Sequence, residues 1–131
     1  TQRYSNYGAG LLGLALVRAA GAKDYKTLVK TRILQPLKLR DTSFQRPERG
    51  MSVGHAKGGE PVPYWDVDGL AGAGGLNSTV GDLLTYLDAH AGPARSDLER
   101  SMRAAQLPQR DIGNGVWKIG MLWQMRERNG R

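Results

Sequence analysis

Near the start of the chain, Tyr4-Ser5-Asn6 sets a phenol and a carboxamide two positions apart. In an extended or looped segment, residues i and i+2 project to the same side. The two groups could therefore share one edge of a cleft where loop turns into helix. A phenol with an ordinary pKa near ~10 works as a base or proton relay when cations favour its phenolate. A carboxamide offers both a donor and an acceptor for gripping an amide. The same residues also fit a packed tyrosine followed by a helix-capping asparagine, so the motif alone leaves both readings open.

Other chemistry-bearing residues form weaker sets. His55 and His90 lie far apart with no carboxylates at ligand spacing, and Glu60 or Asp66 alone completes no zinc site. Asp66 and Asp68 are equally well explained as turn formers. No metal site and no metal cofactor is expected. Gly69-Leu70-Ala71-Gly72-Ala73-Gly74-Gly75 lacks the Lys-Ser/Thr of a phosphate loop, its Gly-x-Gly-x-x-Gly spacing ends in Asn77, and no strand precedes it. It reads as backbone that packs closely before a helix.

The elements that must position these groups can be read from caps and periodicity. Ser5 or Asn6 starts a helix over 7–21, and Leu11, Leu12, Leu14, Ala15 and Val17 predict burial on most sides. Gly21 suits the left-handed residue after its end. Asp24 caps a second helix over 25–34, with Tyr25, Leu28, Val29 and Ile33 or Leu34 inward, and Pro36 closes it. Residues 41–75, rich in Gly and Pro, hold no sustained period and predict a long surface excursion with room for one short hairpin. Thr79 to Asp82 and Ser96 to Glu99 fit capping boxes. The first opens a helix to about His90 with Leu83, Leu84, Leu87 and Ala91 inward; the second a helix with Leu98, Met102 and Ala105 inward. After a turn-rich stretch at 111–115, Trp117, Ile119, Met121, Trp123 and Met125 alternate with mostly polar or small residues, broken only by Leu122. That alternation predicts one half-buried strand over 116–126. Standing alone, such a strand invites pairing with a partner chain or a second copy.

Composition narrows the function classes. The 131 residues are 40% hydrophobic and 24% charged, which is ordinary for a globular domain or a piece of one. With no Cys, disulfides and thiol catalysis are excluded. The net charge of +7 comes from cations scattered along the chain rather than clustered with aromatics, so nucleic-acid binding is not expected. No apolar run reaches the ~18 residues of a membrane span.

Four stretches together point further. Tyr4-Ser5-Asn6-Tyr7-Gly8 with Leu11-Leu12-Gly13 is followed by Ile33-Leu34-Gln35-Pro36-Leu37-Lys38-Leu39-Arg40-Asp41-Thr42. Then come Ala71-Gly72-Ala73-Gly74-Gly75-Leu76-Asn77-Ser78-Thr79 with Asp82-Leu83, and Ile119-Gly120-Met121-Leu122-Trp123. In order and spacing they resemble the serine β-lactamase and penicillin-binding-protein superfamily, in its class C branch. The resemblance implies an α+β fold of the β-lactamase/transpeptidase type, of which this chain is mainly helical with a long loop and one C-terminal strand. It implies a serine hydrolase that forms an acyl-enzyme on a small β-lactam, peptide or ester. There the residue matching Tyr4 relays a proton and the residue matching Asn6 holds the substrate amide. No cofactor is implied, and a periplasmic or secreted location is.

The family's nucleophile lies in Ser-x-x-Lys, which does not occur here, and no Lys/His-x-Gly stretch follows the Ile119–Trp123 segment; Lys57-Gly58-Gly59 sits in the loop before it. The resemblance therefore implies that 1–131 is the middle part of one larger catalytic domain, with 116–126 a strand of its α/β subdomain, and inactive alone. Where class C enzymes commonly read Ala-Tyr-Gly, this chain has Ala73-Gly74-Gly75. The missing aromatic wall favours the broader peptidase and esterase relatives over β-lactam hydrolysis. The alternative expectation is a non-catalytic helical module that pairs through its exposed strand.

Overall fold

The computed structural model describes residues 3–113 and 116–126, the side chain of Asp68 excepted. The chain divides into two compact units: Ser5–Leu83, and the residues from Leu84 onward together with the start of the chain through Tyr4.

In the first unit, α1 (Asn6–Ala19) starts where Ser5, extended at φ −145° and ψ 113°, accepts the Gly8 N–H at 3.0 Å. It ends ahead of Gly21, left-handed at φ +59°. The buried residues of α1 are Gly10 and Gly13, whereas Leu11, Leu12, Leu14 and Leu16 are exposed. This overturns the expected leucine burial, and close backbone approach is the reason. The helix packs its glycine edge on the 3-10 segment Asp68–Ala73. A Cβ at Gly72 would stand 2.8 Å from the Ala9 carbonyl oxygen, and one at Gly10 would stand 2.6 Å from Leu70 Cδ2. No larger residue fits such a contact.

The second helix, α2 (Tyr25–Val29), is capped by Asp24, whose Oδ1 accepts the Thr27 N–H at 2.7 Å. That backbone donor holds the Asp24 carboxyl below its ordinary pKa. The helix continues as a π turn over Lys30–Leu34. It closes with the Leu39 N–H on the Leu34 carbonyl at 2.9 Å, past a left-handed Lys38 at φ +58°. Val29, Leu34 and Leu39 are the buried apolar residues of this unit, as the capped-helix reading anticipates for the first two, and Tyr25 meets Phe44 edge to face at 6.0 Å.

The excursion contains the expected hairpin, β1 (Gly54–His55) against β2 (Pro61–Val62), with Gly54 opposite Val62. Its two ends are tied together. Ser43 and Asn77 exchange backbone hydrogen bonds at 3.0 and 2.8 Å. Beside them, Asp82 Oδ2 accepts from the Asp41 N–H at 2.9 Å and the Thr42 hydroxyl at 2.7 Å, and Thr42 Oγ1 lies 2.8 Å from Ser78 Oγ. Thr79 does receive the Asp82 N–H at the start of α3 (Val80–Ala91), at 3.3 Å. The acidic member of that capping box, however, anchors chain some forty positions away, where it is buried. Leu83, Leu84 and Leu87 are exposed, while Asp82 and His90 are buried, so the expected apolar face of α3 is not the packed one.

In the second unit, α4 (Asp97–Ala105) is capped by Ser96 Oγ, which accepts the Glu99 N–H at 3.2 Å; the Glu99 carboxylate takes the Arg95 N–H. Met102 is buried with Leu98 and Ala105 beside it half-buried, as expected. The single expected strand is corrected here. Residues 116–126 hold two short strands, β4 (Trp117–Ile119) and β5 (Gln124–Arg126), and Arg110–Gly113 adds β3. The antiparallel order is β3-β4-β5, with Lys118 opposite Asp111 on one side and Met125 on the other. The chain reverses at 120–123, where the Gly120 N–H bonds the Trp123 carbonyl at 2.8 Å and Leu122 takes φ +67°. The Met121 N–H bonds the Ala105 carbonyl at 2.8 Å, and a Cβ at Gly120 would stand 2.5 Å from that oxygen. The end of α4 thus bends what would otherwise run straight.

Candidate active site

Asn6 is the first residue of α1 and is exposed. Because Ser5 supplies the side-chain cap, the Asn6 carboxamide is not the group that satisfies the helix start. Asn6 lines a concavity of about 600 Å³ in the Ser5–Leu83 unit, together with Trp65, Val67, Leu70 and Gly74. That volume falls within the roughly 300–1,000 Å³ of small-molecule sites. A Cβ at Gly74 would meet nothing within 4 Å, so the loop leaves this side open, and Trp65 stands 81% exposed at the same concavity. Two devices fix the wall: the glycine contact of α1 with 68–73, and the Asp82 knot that returns the loop to α3.

Tyr4 belongs to the other unit and is 79% exposed. The phenol is offered to solvent rather than packed. Neither ordinary structural role open to the motif is therefore taken: Tyr4 fills no core, and Asn6 is not the cap. Tyr4 thus stands exposed, and Asn6 lines a small-molecule-sized hollow.

The remaining titratable candidates are dispersed. His55 is exposed on β1, and Asp66 is exposed on the excursion. His90 is buried, with its Nδ1 2.6 Å from Gln106 Nε2. The amide donates, so Nδ1 accepts and the ring proton sits on Nε2. Tyr86 and Trp123 meet the His90 ring edge-on at 4.6 and 4.8 Å. Burial lowers the His90 pKa and raises that of the Tyr86 phenol. His90 is a neutral packing residue of its unit.

Two stretches that match Lys/His-x-Gly by letter alone escape a reading by position: Lys118-Ile119-Gly120 and His90-Ala91-Gly92. The first lies on β4, hydrogen-bonded on both sides, with its glycine dictated by Ala105. The second is the end of α3. Neither presents a free sheet edge to a ligand.

The model of the family described as Beta-lactamase matches residues 1–131. A beta-lactamase of Pseudomonas fluorescens is 32% identical over 109 residues, covering 80% of this chain and 30% of that protein. The structure of a D-alanine carboxypeptidase from Burkholderia cenocepacia is 25% identical with a TM-score of 0.80, covering 94% of this chain and 36% of that one. A class C beta-lactamase structure is also 25% identical, with a TM-score of 0.79 and coverage of 94% and 35%. The chain spans about a third of the length of these relatives. Its mixed, helix-rich α+β architecture is that of the corresponding third of their fold. By the family match and by this shared architecture, the chain belongs to the beta-lactamase family.

Proposed function

We propose that residues 1–131 form the Tyr-Ser-Asn-bearing middle part of a serine hydrolase that acts through an acyl-enzyme on β-lactams, peptides or esters. The observation that carries this reading is that Tyr4 is exposed and Asn6 lines the hollow, while Ser5 alone serves the helix. In this reading Tyr4, as phenolate favoured by cations of the rest of the enzyme, takes the proton of the attacking hydroxyl and, as phenol, returns it to the leaving group. Asn6 holds the amide of the substrate's side chain through both its donor and its acceptor. The nucleophile and the strand-edge motif come from the rest of the enzyme, which agrees with a chain one-third the length of its relatives. Alone, the chain is then without covalent turnover, since losing the nucleophile of a concerted set removes about 10⁶ in rate. Relatives bearing the names beta-lactamase and D-alanine carboxypeptidase support β-lactam and peptide substrates alike, and the open Gly74 side gives room for the bulkier of them. We place the enzyme in the periplasm or outside the cell; no described helix is long and apolar enough to cross a membrane.

Asn6→Ala in the full-length enzyme tests the reading. Substrates with an amide in the side chain are expected to lose kcat/KM by about tenfold or more, the scale of a buried or charge-assisted hydrogen bond, while simple esters change little. Equal losses for both classes contradict the gripping role. A second reading, association through strand edges, attaches to β3 and β5 because β4 already has partners on both sides.

A further inference from the structure

A second concavity of the Ser5–Leu83 unit, about 720 Å³, shares no lining residue with the one at Asn6. Its floor is apolar: Leu34 and Leu39 are buried, and Phe44 is half-buried. Lys26, Lys30, Lys38 and Arg40 line it as exposed side chains, and no Asp or Glu is among its described lining residues.

Two backbone irregularities place two of these cations. Lys30 opens the π turn that ends at Leu34, a rare helical form frequent at functional sites. Lys38 is left-handed at φ +58° as the closing residue of the helix, where its N–H bonds the Gln35 carbonyl at 3.1 Å and the Leu39 N–H bonds the Leu34 carbonyl at 2.9 Å. Four like charges around one hollow repel one another, and an anion between them relieves the repulsion. Buried hydrocarbon in the floor would in turn favour an apolar body attached to that anion.

We propose that this concavity binds an amphiphilic anion: a phosphate or carboxylate joined to an apolar chain or ring. The volume suits a ligand of that kind. The site is independent of the hydrolase reading and uses none of its residues. Free amphiphile and membrane lipid are two sources of the same chemistry.

The probe is dihexanoylphosphatidylglycerol, titrated as monomer into the full-length enzyme and followed by amide chemical shifts. Shifts centred on Lys30, Leu34, Leu39 and Phe44 are expected, with the zwitterionic dihexanoylphosphatidylcholine binding about tenfold more weakly. Lys38→Gly relieves the backbone while removing a cation. It is expected to weaken binding by about fivefold with an unchanged or raised melting temperature, and Lys30→Gln to weaken it to a similar degree. If long-chain phosphatidylglycerol vesicles bind more tightly than the monomer and Lys38→Gly abolishes that gain, the natural source is a membrane; preference for the monomer makes it a free amphiphile. Equal affinity for the zwitterionic lipid, inorganic phosphate binding as tightly as the lipid, or binding unchanged by Lys38→Gly overturns the proposal.

Discussion

His90 carries the clearest electrostatic consequence of single-residue packing. Its ring is enclosed by Tyr86, Trp123 and Gln106, and burial lowers its pKa below the ordinary value near ~6.5. A base with a lowered folded pKa binds its proton more readily in the unfolded chain. The stability it contributes is therefore complete above about 6.5 and is lost as pH falls below that toward the folded pKa. Melting temperature should drop between pH 7.5 and 5.5, with His90→Gln flattening the slope and His55→Gln, at an exposed position, leaving it intact. A slope that survives in His90→Gln contradicts this origin. The site residues were legible at this scale only in part. Type and spacing single out Tyr4 and Asn6, but Ser5 and Asn6 are equally good caps on paper. Only the bond from the Gly8 N–H to Ser5 Oγ decides which one is engaged.

Among the elements, α1 and α3 are held by contacts that local patterns do not report. Asp82→Ala leaves the Asp41 N–H and the Thr42 hydroxyl without their shared acceptor and should cost about 1–3 kcal/mol in urea unfolding, the range for buried groups left unpaired. No loss of stability would show that the knot is incidental. Gly72→Ala forces a methyl against the Ala9 carbonyl and is expected to destabilise by about 1–3 kcal/mol. Gly69→Ala, where a Cβ meets nothing within 4 Å, is the matched control and should change little. Helix starts were readable because caps are local: Ser5, Asp24 and Ser96 each bond the third residue on. The break between β4 and β5 was not, since the alternation from Trp117 to Met125 resumes after its single interruption at Leu122, which lies in the turn. What turns the chain is the Ala105 carbonyl, on another element, meeting the Met121 N–H. Likewise, the leucines of α1 suggest a buried stripe by period alone, whereas its glycines determine the packed edge.

Taken as a whole molecule, the chain leaves much apolar surface uncovered. Leu11, Leu12, Leu14 and Leu16 on α1 and Leu83, Leu84 and Leu87 on α3 are all 44% exposed or more. Apolar patches of this kind mark surfaces that bind other polypeptide. In the proposed full-length enzyme, the rest of the domain covers them. The isolated 131 residues should therefore self-associate as concentration rises in sedimentation velocity, and a strictly monomeric chain at high concentration would count against that role for these faces. In the proposed enzyme this segment supplies the proton-relaying phenol. The most direct measurement is the rate of covalent adduct formation by the full-length enzyme with a β-lactam and an activated ester, read by intact mass for wild type and Tyr4→Phe. Because Tyr4→Phe keeps the ring and removes only the hydroxyl, melting temperature is expected to change little. Adduct formation is predicted to slow by about 10²–10⁴-fold, the contribution of a positioned acid–base group. An adduct that forms at the wild-type rate in Tyr4→Phe would show that this phenol relays no proton in acylation.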